Sequence, residues 1–396
     1  MKDKALPEGW NKINITKVFT QISTTGKNIA TKDCLSVGKY PVIDQGAEYI
    51  SGYFNDETKV IPVENKVIVF GDHTRNFKLI DFDFIVGADG VKIFQPAKDI
   101  DPDFFYYQCL SLNLPNKGYH RHFRYLKECD FIYPSFSQQQ KLAKKFTALL
   151  SQVAEIKQRL EKIPALLKTY RQSVLARAVN GELSAKWREE NGVSLESWAI
   201  STLKNLTTKI GSGSTPKGAE YLPEGVPFIR SLNIYTHFIK FDDLAFINDE
   251  QAQKLKNVVI EQGDLLLNIT GASIGRVNIA PKEFIGGRVN QHVAIIRSKL
   301  DKIRPHFLHI FFASPKIQKW INDENYGSTR QALTKGMLEE LKIAVPSLEE
   351  QNYITQAVEK HLNFANQLEA RVNAALERIN LMTQAILAKG FRGELL

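Results

Sequence analysis

The residues best suited to chemistry lie in two polar stretches of the first third of the chain. The run Lys117-Gly118-Tyr119-His120-Arg121-His122-Phe123-Arg124-Tyr125-Leu126-Lys127 carries Lys117, Arg121, Arg124 and Lys127 with no acid among them. Cations interleaved with aromatics suit a polyanion: arginine pairs bidentately with guanine, and lysine and histidine anchor to phosphates. The same run also suits a solvated basic loop. Gly71-Asp72-His73-Thr74-Arg75-Asn76 directly follows an apolar strand-like run and places more polar groups at a turn.

Other chemistries fit poorly. His120 and His122 have no cysteine, aspartate or third histidine at metal-ligand spacing, so no metal is expected. Asp72 and His73 near Asp81 and Asp83 form no recognisable nuclease pattern. Later glycine-rich loops, such as Lys209-Ile210-Gly211-Ser212-Gly213-Ser214-Thr215-Pro216-Lys217, match neither Gly-x-x-x-x-Gly-Lys-Ser/Thr nor Gly-x-Gly-x-x-Gly. No Asn-Pro-Pro-Tyr-like adenine motif is present. The chain is therefore expected to be non-catalytic on its own and to need no cofactor.

Charge and composition narrow the class further. A net charge of +9 over 396 residues is compatible with a polyanionic partner without requiring one. No run of about 18 apolar residues occurs, and no apolar stretch follows the basic start, so neither a membrane span nor a secretion signal is expected. Cys34, Cys109 and Cys129 are odd in number and lack metal or redox spacing, which reads as reduced thiols in the cytoplasm.

These polar stretches must be positioned by something larger, and the sequence shows it twice. Pro134 to Leu183 aligns without a gap on Pro346 to Leu395, and both stretches end in Gly-Glu-Leu. In the first copy apolar residues step by four and three through Leu142, Phe146, Leu149, Val153, Ile156 and Leu160, then through Ile163, Leu167, Tyr170 and Val174. The second copy keeps that spacing through Ile354, Val358, His361, Ala365 and Leu368, then Val372, Ala375, Ile379, Met382 and Ile386. Such heptad seams predict two long amphipathic helices that bury their seams against each other. The packing positions are expected at Phe146, Val153, Ile156, Leu160 and Leu167, and at Val358, Leu368, Val372, Ile379 and Ile386. A helix of about 40 residues is about 60 Å long. Run antiparallel, the pair separates whatever precedes each helix and relates the two by a pseudo-two-fold axis. Pro164 stands where the second copy has Leu376, which predicts a lost backbone bond and a kink.

Short strand-like runs separated by turn residues precede each helix. In the first segment these are Tyr40–Ile43, Lys66–Phe70, Phe82–Val86 and Val91–Phe94, with a helix expected over Pro102–Leu112. The second segment opens on Ser194-Leu195-Glu196-Ser197-Trp198, echoing Leu6-Pro7-Glu8-Gly9-Trp10. It holds a strand at Pro227–Arg230 and a turn-rich stretch from Gly263 to Arg276. The expected fold class is α+β: two mixed α/β domains separated by two long antiparallel, coiled-coil-like helices. The boundaries are 1–133 for the first domain, 134–187 for the first helical repeat, 188–345 for the second domain and 346–396 for the second repeat. Tyr326-Gly327-Ser328-Thr329-Arg330-Gln331 holds roughly the place in the second segment that Gly118 to Arg124 holds in the first. Two unlike loops in equivalent places suggest one scaffold reading two targets.

This order resembles the specificity subunits of type I restriction-modification systems, the HsdS family. The resemblance is carried by Leu6-Pro7-Glu8-Gly9-Trp10, Ile163-Pro164, Val174-Leu175-Ala176, Gly181-Glu182-Leu183-Ser184-Ala185-Lys186-Trp187-Arg188, Pro346-Ser347-Leu348-Glu349-Glu350-Gln351 and the closing Ala385 to Leu395. It implies two target recognition domains, each reading one half of an asymmetric bipartite site in double-stranded DNA. It also implies helices that set the spacing and dock two modification (methyltransferase) subunits, and restriction (motor and nuclease) subunits recruited by the assembly. Cleavage and adenine methylation would then be the partners' work. By position and chemistry the DNA contacts are expected from Arg75, His120, Arg121, His122, Arg124 and Lys127 in the first domain. In the second they are expected from Lys217, Arg230, Asn233, Arg276, Arg330 and Gln331. The competing classes are a self-sufficient nuclease or methyltransferase and a non-DNA coiled-coil scaffold with two binding domains.

Overall fold

The heptad spacing produces two helices of 44 and 43 residues, Phe136–Val179 and Leu348–Gly390, in a computed structural model that describes residues 6–87, 89–215, 221–326 and 332–396. The chain divides into two units, Met1–Glu161 with Val372–Leu396, and Lys162–Arg371. Each long helix contributes one part to each unit. None of the described helices is long and apolar enough to cross a membrane.

Within the first unit the start of the first helix meets the end of the second. Phe146 packs on Phe391 with ring centroids 5.2 Å apart, and Lys145 Nζ donates to the Leu395 carbonyl at 2.6 Å. Within the second unit the late part of the first helix meets the early part of the second. Tyr170 Oη and His361 Nδ1 lie 2.6 Å apart, and Arg171 donates to Asn366 Oδ1 and Glu369 Oε2 at 2.8 Å each. Both pairings are antiparallel. Phe146, Val153, Leu167, Val358, Val372 and Ile379 are buried, while Leu160, Leu368 and Ile386 are half-buried.

One seam position departs from expectation: Ile156 is 49% exposed. The departure is local, because Val153 before it and Leu167 after it on the same seam are buried. The first helix runs through Pro164, which has no backbone N–H to donate.

The sheets explain where the helix ends are anchored. The first unit contains strands β1 (Phe19–Ile22), β2 (Val67–Gly71), β3 (Phe77–Ile80) and β4 (Val91–Pro96), in the antiparallel order β1-β4-β2-β3. Side chains alternate between the faces of a strand. Accordingly Ile68, Phe70 and Phe94 join the cluster that includes Trp10, Phe104, Phe146 and Phe391, whereas Val67, Val69, Val91 and Ile93 face a second sheet. That second sheet is built from Asn28–Ile29, Tyr40–Ile43, Gly52–Phe54, Val60–Ile61 and Phe84–Gly87. The expected helix appears as Pro102–Ser111, started by Asp101, whose carboxylate accepts from Phe104 N at 2.9 Å.

The second unit repeats this plan with different residues. Strands β5 (Thr207–Ser212), β6 (Leu265–Asn268), β7 (Val277–Ile279) and β8 (Val293–Ser298) are ordered β5-β8-β6-β7. Leu265, Leu267, Ala294 and Ile296 face the helices. Leu266, Val293 and Ile295 face a three-stranded sheet that includes Val226–Ile229. Trp198 meets Phe307 at 6.3 Å as Trp10 meets Phe104 at 6.4 Å. Each unit is therefore a mixed α+β body with one sheet held between a second sheet and the helix ends.

The Pro-Ser motif opening each helix has a structural purpose in both copies. Gln139 Oε1 accepts from Asp101 N, and its Nε2 donates to the Asp99 and Pro134 carbonyls. Gln351 does the same with Arg304 N and the Lys302 and Pro346 carbonyls. Both glutamines are buried, and each closes backbone groups that would otherwise be left unpaired away from water.

Candidate nucleic-acid interface

In the first unit the two polar stretches distant in sequence come together. The turn between β2 and β3 is closed by Gly71 N donating to the Asn76 carbonyl at 2.9 Å and Arg75 N to the Gly71 carbonyl at 2.8 Å. Arg75 sits there at φ 65°, a left-handed conformation that side chains other than glycine rarely adopt. Asp72, itself buried, caps the other stretch: its carboxylate accepts from Phe123 N at 2.7 Å, where the short helix Phe123–Lys127 begins. Gln45 braces the turn from a third segment, its side chain accepting from His73 N and its carbonyl accepting from Asn76 Nδ2 and the Thr74 hydroxyl.

The sequence-expected contacts divide on this scaffold. His120, Arg121, Arg124 and Lys127 are exposed. The Arg124 guanidinium lies 4.5 Å from the Tyr125 ring centroid, and Lys127 Nζ lies 5.3 Å from that of Phe123, so the aromatics shape the cations' positions. Arg75 is half-buried, with Nη1 donating to the Leu114 carbonyl at 3.2 Å. His122 requires a correction. It is fully buried, its main chain and Nδ1 both meet the Asp72 carbonyl, and Nε2 faces Lys117 N at 3.4 Å. Its polarity serves to join the two loops, and it presents nothing to a ligand.

Sequence reasoning missed Tyr119, which is 81% exposed and stacks on His73 with centroids 4.4 Å apart and planes 10° from parallel. An exposed ring beside a string of cations was visible in the run itself. Its partner His73 was not, because 45 residues of chain intervene between them.

The second unit builds its counterpart at the same end of the equivalent sheet. After β6, Ile269 N donates to the His292 carbonyl at 2.9 Å, and Leu333 N donates to the Ile269 carbonyl at 2.8 Å. The segment past the helices thus abuts the β6–β7 turn, just as the 114–127 segment abuts the β2–β3 turn. The Arg276 guanidinium lies 4.2 Å from the Tyr235 ring, and Tyr235 stacks on Phe238 at 4.3 Å. Arg230 lies 4.8 Å from the Tyr221 ring and donates to the Asp243 carbonyl, so it braces its own loop.

Asn233 is the second correction. It is fully buried, accepting from Arg230 N at 3.0 Å and donating to the Lys240 carbonyl at 3.1 Å. Buried inside its loop, this amide is closed to a partner molecule. Lys217, Arg330 and Gln331 lie outside the described residues. Residues that the sequence did not single out, Asn290, Gln291 and His292, stand at the entry to β8. The available signal was a polar triplet immediately before a buried strand.

Comparisons with known proteins bear on both the fold and this arrangement. A family model described as type I restriction modification DNA specificity domain matches residues 7–165 and 196–378. The type I restriction enzyme EcoBI specificity subunit of Escherichia coli is 34% identical over 274 residues, covering 66% of this chain and 57% of the relative. The chain thus spans little more than half the length of that curated relative. A chain from a structural study of complex assembly and conformational transition in the type I R-M system superposes with a TM-score of 0.68 at 18% identity, covering 99% of this chain and 100% of the other. The HsdS subunit from Thermoanaerobacter tengcongensis superposes with a TM-score of 0.58 at 17% identity, covering 99% of each. At these identities the likeness is one of fold.

Proposed function

From the premise that this chain belongs to the type I restriction modification DNA specificity domain family, we propose that it is the sequence-reading subunit of a type I restriction-modification complex. Residues 1–133 and 188–345 would be target recognition domains, each addressing one half of an asymmetric bipartite site in double-stranded DNA. Residues 134–187 and 346–396 would be the spacer that sets the half-site separation and docks two modification subunits, with restriction subunits joining the assembled complex. On this reading the chain works in the cytoplasm and catalyses nothing alone.

The observation that carries the reading is the repeated placement of unlike loops. Equivalent sheets, ordered β1-β4-β2-β3 and β5-β8-β6-β7, present at one end a basic, aromatic cluster in the first unit and an arginine–aromatic stack in the second. One scaffold with two different rims suits a reader of two different half-sites. His120, Arg121, Arg124 and Lys127 would meet phosphates and base edges of the first half-site. Arg276, with Lys217, Arg330 and Gln331, would meet the second, while Arg75 and Arg230 hold their loops in shape.

The test is sequencing of methylated adenines in cells that carry this chain with its modification subunit, beside cells lacking only this chain. A bipartite motif marked on both strands, present in the first and absent in the second, is the expected result. Failure of the assembled complex to retain DNA even at low salt would instead favour a scaffold with no DNA role.

A further inference from the structure

The entry to β8 carries a hydrogen-bonded chain that the cationic rim does not explain. His292 is held on two sides: its carbonyl accepts from Ile269 N at 2.9 Å, and its Nδ1 lies 2.5 Å from the Thr270 hydroxyl. Its main-chain N–H donates to Asn290 Oδ1 at 3.0 Å. Gln291, which is exposed, is then fixed at both ends of its amide. Nε2 lies 3.1 Å from His292 Nε2, and Oε1 accepts from the Thr215 hydroxyl. A solvent-exposed glutamine normally samples many rotamers, and immobilising one costs entropy. Here that ordering precedes any ligand.

We propose that Gln291 is the residue by which the second recognition domain reads an adenine, a step that rests on the DNA-reading function proposed above. A carboxamide offers two N–H donors and two oxygen lone pairs. His292 engages the nitrogen and Thr215 the oxygen, which leaves one donor and one acceptor. Adenine presents an acceptor at N7 and a donor at N6 in the major groove, the complement of that remaining pair. Guanine presents two acceptors and cytosine a donor, so neither satisfies both groups. Held by neighbours on both sides, the amide cannot turn over to suit another base without breaking the chain. At the equivalent strand entry of the first unit Gly90 takes the place of His292, its carbonyl accepting from Asp72 N, and Asp89 takes the place of Gln291, its carboxylate accepting from Asn28 Nδ2 at 3.0 Å. The two domains therefore differ in the chemistry of their readers.

The test uses the complete chain assembled with its modification subunits, as wild type, Gln291→Ala and Gln291→Glu. Each complex is titrated against duplexes that carry single base-pair changes through the site obtained from the wild-type methylated motif. The wild type is expected to lose about tenfold or more in affinity when one A·T pair of the second half-site is replaced. Gln291→Ala should flatten discrimination at that pair alone, and Gln291→Glu, now an acceptor only, should move the preference there to cytosine. Unchanged base preference at every position in both variants overturns the proposal, whether or not overall affinity falls, because that is how a phosphate contact behaves. A wild-type complex with no sequence preference at all would overturn the DNA-reading function itself, and this inference with it.

Discussion

Glu350 Oε1 lies 2.6 Å from Arg188 Nη1 in the interior of the second unit, with the two residues only 1% and 7% exposed. The remaining polar atoms are also matched: Ser184 Oγ donates to Glu350 Oε1 at 2.7 Å, Trp198 Nε1 to Oε2 at 2.9 Å, and Arg188 Nη2 to the Gly181 carbonyl at 2.7 Å. This cluster ties the end of the first helix to the start of the second and to the tryptophan that opens the domain. It gives a physical reason for the Gly181-to-Arg188 motif.

Removing one partner leaves the other charge buried and alone. Glu350→Ala should cost the second unit about 3–5 kcal/mol, whereas replacing both residues, as in Glu350→Leu with Arg188→Met, should cost less, because no charge is left alone and only the Trp198 and Ser184 donors lose an acceptor. Urea unfolding of the two variants decides the matter. An equal loss in the single and double variants would mean that packing, and not charge, holds this junction.

Gly390 ends the second helix against Phe146, and a Cβ added there would fall within van der Waals distance of the Phe146 ring. The corresponding residues of the other repeat are Ala178 and Val358, both buried, so the copies solve one packing problem with glycine beneath phenylalanine and alanine beside valine. Gly390→Ala gains up to about 1 kcal/mol of helix propensity but overpacks the site by about 1–3 kcal/mol. The net expectation is a lower Tm. Adding Phe146→Val should recover most of the loss in a thermal melt, as compensating volumes do.

His309, on the helix Pro305–Ala313, has its pKa lowered to about 4 by burial, against a weaker opposing effect of the Val277 carbonyl. His237 and His306 face it and lower it further. The folded form thus binds its proton less readily than the unfolded chain does at an ordinary value near 6.5. This contribution to stability is complete above about pH 6.5 and is lost as pH falls toward 4, by at most about 3 kcal/mol. Denaturant midpoints measured from pH 7.5 to 4.5 should fall more steeply for the wild type than for His309→Asn.

The buried and exposed members of the basic run should fail in different ways. Lys127→Ala and Arg124→Ala are expected to leave folding intact and each to reduce the slope of log affinity against log salt by about 0.9. His122→Ala removes a buried hydrogen-bonding group and should cost about 1–3 kcal/mol of stability. Salt titrations of the assembled complex, run beside melting curves, separate the two. A change in salt slope for His122→Ala with unaltered melting would contradict its assignment as an internal brace.

Much of the architecture was legible from spacing because it depends on short-range periodicity. Apolar residues every four and three positions force a helix to bury one stripe, and a repeated stripe forces two. The strands from Tyr40 to Ile43 and near Val67 and Val91 were visible for the same reason, as apolar runs between turn residues. The failures came where two remote segments meet. His122 looked like its exposed neighbours Arg121 and Arg124, and only its contact with Asp72, 50 residues earlier, makes it interior. Ile156 kept its place in the repeat on paper, yet it is exposed while Val153 and Leu167 on the same seam are buried, a local difference that spacing does not record.

The sequence alone determined that two long amphipathic helices exist, that each follows a small α+β segment, and that the segments carry unlike polar loops. These are consequences of backbone period and side-chain polarity, which neighbouring residues settle among themselves. Tertiary structure decided which of those polar groups are available. Asp72 draws His122 inward, Arg230 and Lys240 occupy Asn233, and Thr215 and His292 hold Gln291 in place while it remains exposed. A hydrogen bond between residues far apart in the chain depends on how the sheets stack and where their turns emerge, and no local pattern of residue types records that.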